Sequence, residues 1–238
     1  MKTVTPKTIT ILIPVYNEQD TISMVIEEVK KSDTMGLKKE ILVIDDASTD
    51  KTAKVLAGIK GITVFSHAQN QGKGAALKTG LVKAKGDLVL IQDADLEYSP
   101  KDYPQLLGPF FEHEADVVYG TRFRGGDARR VIYFSHQLAN QVLTFYSNIL
   151  TNLNLTDMEC GYKVFRRWVV DAIAERLVSQ RFGIEPELTA RIAKLKDMRF
   201  YEVSVTYQGR TYDEGKKIGF EDGVKAIFEI TRFNLFEE

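Results

Sequence analysis

Two aspartates two residues apart, Asp93 and Asp95, directly follow the apolar run Leu88-Val89-Leu90-Ile91. Carboxylates that close repel each other unless something cationic stands between them. A hard divalent ion with oxygen ligands, Mg²⁺ or Mn²⁺, meets that need and leaves coordination positions for phosphate oxygens. Other polar and acidic residues end other apolar runs: Asn17 and Glu18 after residues 9–15, Asp45 and Asp46 after 40–44. Ser48 and Asp50 also suit helix N-caps. The turn Gly72-Lys73-Gly74-Ala75-Ala76-Leu77 lacks the third glycine of a dinucleotide fingerprint and the Ser/Thr of a P-loop. It reads as a tight strand-to-helix turn in which Lys73 can face an anion. Basic residues gather at Arg122, Arg124, Arg129 and Arg130, and again at Arg210, Lys216 and Lys217. They suit either an anionic ligand or a solvated basic surface. His67, His113 and His136 lack metal-ligand spacing and read as structural or exposed, and Trp168 reads as a core anchor.

The elements that must position these groups alternate in type. Apolar, β-branched runs at 9–15, 40–44, 62–65, 87–91 and 116–119 interleave with helical spacing at 21–31, through Val55 and Ile59, at 73–85 and at 104–113. That alternation predicts a mostly parallel sheet covered by helices on both faces. In such sheets ligands bind outside the carboxyl ends of the strands, where the acids lie. The pattern changes after Gly120. Residues 121–130 are polar, and residues 131–156 contain no Asp, Glu, Lys or Arg. There Phe134, Leu138, Val142, Phe145, Ile149 and Leu153 recur at steps of three and four, with Gln, Asn and Thr between them. Such a helix suits either the core or the headgroup layer of a membrane beside basic residues. A helix at 185–196, a strand at 199–207, a basic segment at 208–219 and an amphipathic helix at 221–233 complete the reading.

Bulk properties narrow the function classes. With 32 Lys+Arg against 33 Asp+Glu in 238 residues the formal net charge is −1, which removes a globally basic nucleic-acid binder. A 44% hydrophobic, 27% charged chain is globular. A lone cysteine, Cys160, excludes an internal disulfide and a multi-cysteine zinc site, and fits a reducing compartment. Pro14 interrupts the only N-terminal apolar run, so no signal peptide is expected, and no run reaches the roughly 18–20 apolar residues of a spanning helix. A cytoplasmic protein, soluble or peripheral on a membrane, is expected.

Five ordered motifs carry a family resemblance: Ile13-Pro14-Val15-Tyr16-Asn17-Glu18, Asp45-Asp46-Ala47-Ser48-Thr49-Asp50, Asn70-Gln71-Gly72-Lys73-Gly74-Ala75-Ala76, Asp93-Ala94-Asp95 and Gly120-Thr121-Arg122-Phe123. Together they resemble family 2 glycosyltransferases of the GT-A fold, and within them the polyprenyl-phosphate sugar transferases typified by dolichyl-phosphate mannose synthase. The resemblance implies an α/β, Rossmann-like fold in a single domain over 1–238. Its nucleotide-sugar-binding half would be 1–120, and 121–238 an acceptor-binding half with membrane-facing amphipathic helices. It implies that Pro14, Tyr16, Glu18 and Asp46 hold base and ribose, with Lys73 also on the donor. Asp93 would meet the sugar nucleotide and Asp95 the metal, joined by Glu97 where the subgroup often has Gln. Arg122, Arg130, Arg210, Lys216 and Lys217 would meet the acceptor phosphate. Asp93, Asp95, Arg122 and Arg210 form the implied catalytic set. Asp157-Met158-Glu159-Cys160-Gly161-Tyr162 departs from the commoner Asp-x-x-Ser-Gly-Phe, and a thiol is a poorer donor than a hydroxyl.

The implied reaction is inverting transfer of a hexose from GDP-mannose or UDP-glucose to a polyprenyl phosphate, dolichyl or undecaprenyl. A metal with Arg or Lys stabilises the leaving pyrophosphate. A phosphate acceptor is already an anion, whereas a hydroxyl acceptor needs a base, for which Asp157 or Glu159 is available. Two alternatives stand beside this: a family 2 transferase acting on a sugar or protein hydroxyl, and an inactive nucleotide-sugar-binding module. Relatives often carry C-terminal spanning helices. Their absence up to Glu238 implies peripheral contact with the cytoplasmic face of a membrane, or a small membrane-anchoring subunit as partner.

Overall fold

The computed structural model describes residues 5–124, 130–131, 133–181, 183–209 and 220–237. Its first strands are β1 (Thr8–Val15), β2 (Lys38–Asp45), β3 (Thr63–Ser66) and β4 (Leu88–Ile91). Between them lie α1 (Ile22–Lys31), α2 (Thr52–Ala57) and α3 (Lys73–Lys83). Then come α4 (Tyr103–Glu112), β5 (Val117–Thr121), α5 (Phe134–Thr151), β6 (Lys163–Arg166), α6 (Arg167–Ile173), α7 (Ile184–Ala193), β7 (Phe200–Ser204) and α8 (Phe220–Leu235).

The seven strands form one sheet in the order β3-β2-β1-β4-β6-β5-β7. Pairings are parallel except those of β6, which runs antiparallel between β4 and β5. Strands from both halves of the chain thus share one ladder. β1 is buried on both faces, because successive side chains of a strand point to opposite sides. Ile9, Ile11 and Ile13 pack with Ile22, Val25 and Ile26 of α1 and Leu106 of α4. Leu12 packs on the other face with Leu77 and Leu81 of α3. Further along that second layer, Val169 and Val170 of α6 and Leu188 of α7 cover the sheet.

One expectation is corrected here. Trp168 is 42% exposed rather than a core anchor, its indole N–H donating to Asp116 Oδ1 at 3.2 Å. Of the two readings of the uncharged helix α5, the structure shows a helix that is only partly buried. Leu143, Thr144 and Ser147 face inward, while Phe134, Leu138, Val142, Phe145 and Ile149 are 48–74% exposed. α8 packs on α5 and α7 through Ala226, Ile230 and Phe233, and the Tyr146 and Thr231 hydroxyls hydrogen-bond at 2.9 Å.

Candidate active site

The carboxyl ends of β1, β2 and β4 each turn through one non-glycine residue with positive φ: Asn17 (54°), Ala47 (59°) and Leu96 (62°). Such conformations persist only where the surroundings over-determine them, and they cluster at functional sites. The first two turns are locked together. Asn17 N donates to Ser48 Oγ at 3.0 Å, Thr49 N to Asn17 Oδ1 at 2.8 Å, and Glu18 N to Thr52 Oγ1 at 3.0 Å. Asp50 takes the amides of Thr52 (2.9 Å) and Gln19 (3.2 Å) and so cross-links the two turns, while the N-cap position of α2 falls on Lys51 instead of Asp50. Pro14 is buried in β1 beside Ile44, Tyr16 stands exposed at the rim, and Glu18 accepts from the Thr21 hydroxyl at 2.8 Å.

Asp46 is buried and committed to protein groups. Its carboxylate accepts from Asn70 Nδ2 (2.9 Å), Gln71 N (3.0 Å) and Gly72 N (2.6 Å), and contacts His67 Nδ1 at 2.6 Å. These contacts make Asp46 the organiser of the 70–72 turn. His67 is structural, its other nitrogen lying 2.9 Å from Thr79 Oγ1. The glycines of the turn have a packing reason. A Cβ on Gly72 (φ 93°) would meet the Gln180 carbonyl oxygen at 2.4 Å, and one on Gly74 the Ser179 carbonyl oxygen at 2.2 Å. The backbone of 179–180 lies directly on the start of α3, tied by Ala75 N to Gln180 O (3.2 Å). Glu187 anchors that segment from below through the amides of Val178 and Ser179.

Lys73, the first residue of α3, is thereby fixed at its backbone while its side chain reaches across the strand ends. Its Nζ lies 2.8 Å from Asp93 Oδ1 and 3.4 Å from Glu185 Oε1. The other Glu185 oxygen pairs with the fully buried Lys163, whose ammonium also meets the Cys160 carbonyl. Burial opposes the Lys73 charge, but Asp93 and Glu185 outweigh it and raise its pKa. Next along the β4 turn, Asp95 Oδ1 accepts from Glu97 N at 3.1 Å, and Glu97 Oε2 accepts from the Tyr207 hydroxyl at 3.0 Å. Asp93, Asp95 and Glu97 thus supply hard carboxylate oxygens from one turn, a donor set that fits Mg²⁺ or Mn²⁺. Among the described residues no three His, Cys, Asp or Glu side chains converge as a ready metal cage.

Arg122 lies farther along the edge, after β5. Asp157 grips it bidentately, Nε to Oδ2 and a terminal nitrogen to Oδ1, both at 2.7 Å, and also accepts its backbone amide. Burial disfavours the guanidinium charge, and the Asp157 carboxylate more than offsets that, raising its pKa well above the usual value. With both oxygens so engaged, Asp157 is not a free base. Glu202 of β7 fixes the loop in turn, accepting from Thr156 N (2.8 Å), Thr156 Oγ1 (2.8 Å) and Asp157 N (3.2 Å). α5 supports it from the other side, with Met158 N donating to Thr144 Oγ1 (3.1 Å) and the Asn148 side chain bonding to the Leu155 backbone. Glu159 is pushed up to about 7, first by burial and then by Glu185. Cys160 is buried, and burial with Asp157 pushes its thiol up to about 12.

The structure thus brings Asp93, Asp95, Glu97 and Lys73 to one edge, with Arg122, just after β5, held there by Asp157 of the adjoining 155–158 loop. Arg130 stands apart at the start of α5, donating to the Gly209 carbonyl at 3.0 Å. Arg210, Lys216 and Lys217 lie outside the described residues. Sequence reasoning missed Lys163, Glu185 and Glu202. A lysine flanked by Tyr162, Val164 and Phe165 was the available signal for the first.

The model of glycosyl transferase family 2 matches residues 10–174. Undecaprenyl-phosphate mannosyltransferase of Micrococcus luteus is 28% identical over 94% of this chain and 93% of its own. Undecaprenyl-phosphate 4-deoxy-4-formamido-L-arabinose transferase of Proteus mirabilis is 29% identical over 87% of this chain, which spans 62% of that longer relative. An uncharacterized protein of Methanocaldococcus jannaschii is 26% identical over 95% of this chain and 92% of its own. Among solved structures, glucosyl-3-phosphoglycerate synthase from Mycobacterium tuberculosis in complex with Mn²⁺, UDP and phosphoglyceric acid superposes with a TM-score of 0.72. That match covers 98% of this chain and 80% of the synthase at 22% identity, a likeness of fold. The chain belongs to glycosyl transferase family 2 and is a glycosyltransferase.

Proposed function

We propose that the protein transfers a hexose, with inversion, from a nucleoside diphosphate sugar to a polyprenyl phosphate presented at the cytoplasmic surface of a membrane. One observation carries this reading: the helix that shows an exposed apolar stripe also braces the loop that clamps Arg122. Phe134, Leu138, Val142, Phe145 and Ile149 point outward from α5, while Thr144 and Asn148 of the same helix hold residues 155–158. A lipid contact on the outer face thus lies one helix away from a guanidinium suited to a phosphate. The undecaprenyl-phosphate acceptors named for two relatives agree with it. Among the described residues no helix is long and apolar enough to cross a membrane, so the contact we propose is peripheral, with Arg124 and Arg130 as basic flanks.

In this reading Tyr16, Glu18 and the 70–72 turn border the nucleotide, and Lys73 meets the diphosphate. Asp93 and Asp95, with Glu97, hold a divalent ion whose chemistry is to neutralise the leaving pyrophosphate. Arg122 orients the acceptor phosphate, together with Arg130, Arg210, Lys216 and Lys217. That phosphate is its own nucleophile and needs no base, which agrees with the engagement of Asp157 by Arg122. The test is transfer of radiolabelled sugar from GDP-mannose and UDP-glucose, with Mn²⁺, to undecaprenyl phosphate in vesicles. Label in the lipid phase supports the reading; label only in a water-soluble glycoside overturns it.

A further inference from the structure

Lys73 Nζ lies 2.8 Å from Asp93 Oδ1, so in the reading proposed above the ammonium occupies one side of the carboxylate pair that a divalent ion would face. The backbone of Lys73 cannot retreat, because the flanking glycines are packed against the 179–180 backbone. Its side chain also lies 3.4 Å from a second carboxylate, Glu185 Oε1. Glu185 itself is buried, and its second oxygen is fixed on Lys163, so it waits at a set distance whatever Asp93 binds.

We infer that Lys73 is the resident counter-ion of the metal-binding carboxylate, and that a divalent ion displaces it from Asp93 toward Glu185 and the diphosphate position. The inference rests on the metal role of Asp93 and Asp95 proposed above and adds an order of events. A dication beside Asp93 repels the ammonium. A nucleoside diphosphate attracts it away from the same oxygen. Metal and nucleotide then help each other to bind, because each removes Lys73 from the place the other needs it to leave. Lys73 thus becomes a positioning group that links the two ligands, beyond being a contact for one of them.

Mn²⁺ binding followed by electron paramagnetic resonance, with MnCl₂ alone and then with UDP or GDP, tests this without turnover. Lys73→Met should bind Mn²⁺ alone more tightly than the wild type, on the order of three- to ten-fold, because a competing cation is gone. The same variant should bind the nucleoside diphosphate more weakly, and the help that nucleotide gives to Mn²⁺ should shrink. Lys73→Arg keeps the charge and should return Mn²⁺ affinity toward the wild-type value. A lysine that merely binds diphosphate, or merely supports the fold, would not raise metal affinity when removed. Unchanged or weaker Mn²⁺ binding by Lys73→Met overturns the inference. Asp95→Asn separates it from the reading beneath: if that change leaves wild-type Mn²⁺ binding intact, the metal site is elsewhere and both fail.

Discussion

The strand-end edge and the outer face of α5 solve opposite problems. At the edge, polar groups are withdrawn from water and most are given partners: Asp46 holds the glycine turn, Asp157 grips Arg122, and Lys73 bridges Asp93 and Glu185. On α5 large apolar side chains are left facing outward, while the polar residues Thr144 and Ser147 are turned in. Buried polar networks are stable only when satisfied, and they fix geometry. A row of exposed apolar side chains fixes nothing by itself and marks a surface meant to be covered. The contrast separates a preorganised donor site from a face completed by something outside the chain.

The sharpest way to break this contrast is at the metal turn. Asp95→Asn keeps the Oδ1 that accepts from Glu97 N, so the turn and the fold should survive. Transfer should fall by about 100- to 1000-fold, the scale of losing a preorganised electrostatic group. EDTA should mimic it in the wild type, and full activity in EDTA would remove the metal from the mechanism. The next largest effect belongs to Asp46→Ala, which strips the acceptor from the Gln71 and Gly72 amides and from Asn70. We expect a loss of about 2–3 kcal/mol of stability, since an unpaired polar group costs roughly 1–3 kcal/mol. For a chain of this size that lowers Tm by about 4–12 °C. Donor affinity should fall with it as Lys73 loses its fixed base. An unchanged Tm with weakened donor binding would instead make Asp46 a direct ligand.

The outer face predicts the reverse signature. Leu138→Asp with Val142→Asp alters two side chains that already face solvent, so Tm and donor binding should hold. Vesicle flotation and transfer to long-chain polyprenyl phosphate should drop by on the order of 30-fold, the equivalent of roughly 2 kcal/mol for the apolar area withdrawn from lipid. High salt should weaken the wild-type attachment only in part, by screening Arg124 and Arg130 and leaving the apolar contribution. If the double variant unfolds, protein covers that face and the contrast collapses.

The legible parts of the molecule were those with a local signature. Apolar β-branched runs, helical spacing and acids at strand ends located β1 to β5 and the turn of Asp93 and Asp95; in β1, β4 and β5 burial on both faces demands uninterrupted apolar residues, whereas β3 is an exposed edge strand. β6 was not legible. Its sequence Lys163-Val164-Phe165-Arg166 reads as charged at both ends, yet both charges are buried against distant partners, Glu185 for one and Asp116 for the other. Pairing across tens of residues leaves no periodic trace. The glycine turn shows a second limit: its composition announced a tight passage, and only the backbone of 179–180 explains why.

The smallest effect concerns the acid that the edge network leaves least satisfied. Glu159 Oε1 is buried with no hydrogen-bond partner among the described residues, and burial with Glu185 raises its pKa from the ordinary 4.5 to about 7. Below pH 4.5 the carboxyl is protonated whether the chain is folded or unfolded, and it adds no pH dependence. Between 4.5 and about 7 the unfolded chain releases the proton while the folded chain keeps it, so stability falls as pH rises. Above 7 both forms are ionised and the penalty is complete. Glu159→Gln carries no charge at any pH and removes this slope. Its Tm should match the wild type near pH 4.5 and exceed it by a few degrees at pH 8. The difference between the two Tm curves isolates Glu159 from every other titrating group. Curves that stay parallel from pH 4.5 to 8 would mean that Glu159 is ionised throughout, solvated like an ordinary surface carboxylate, and that the edge tolerates an acid it does not neutralise.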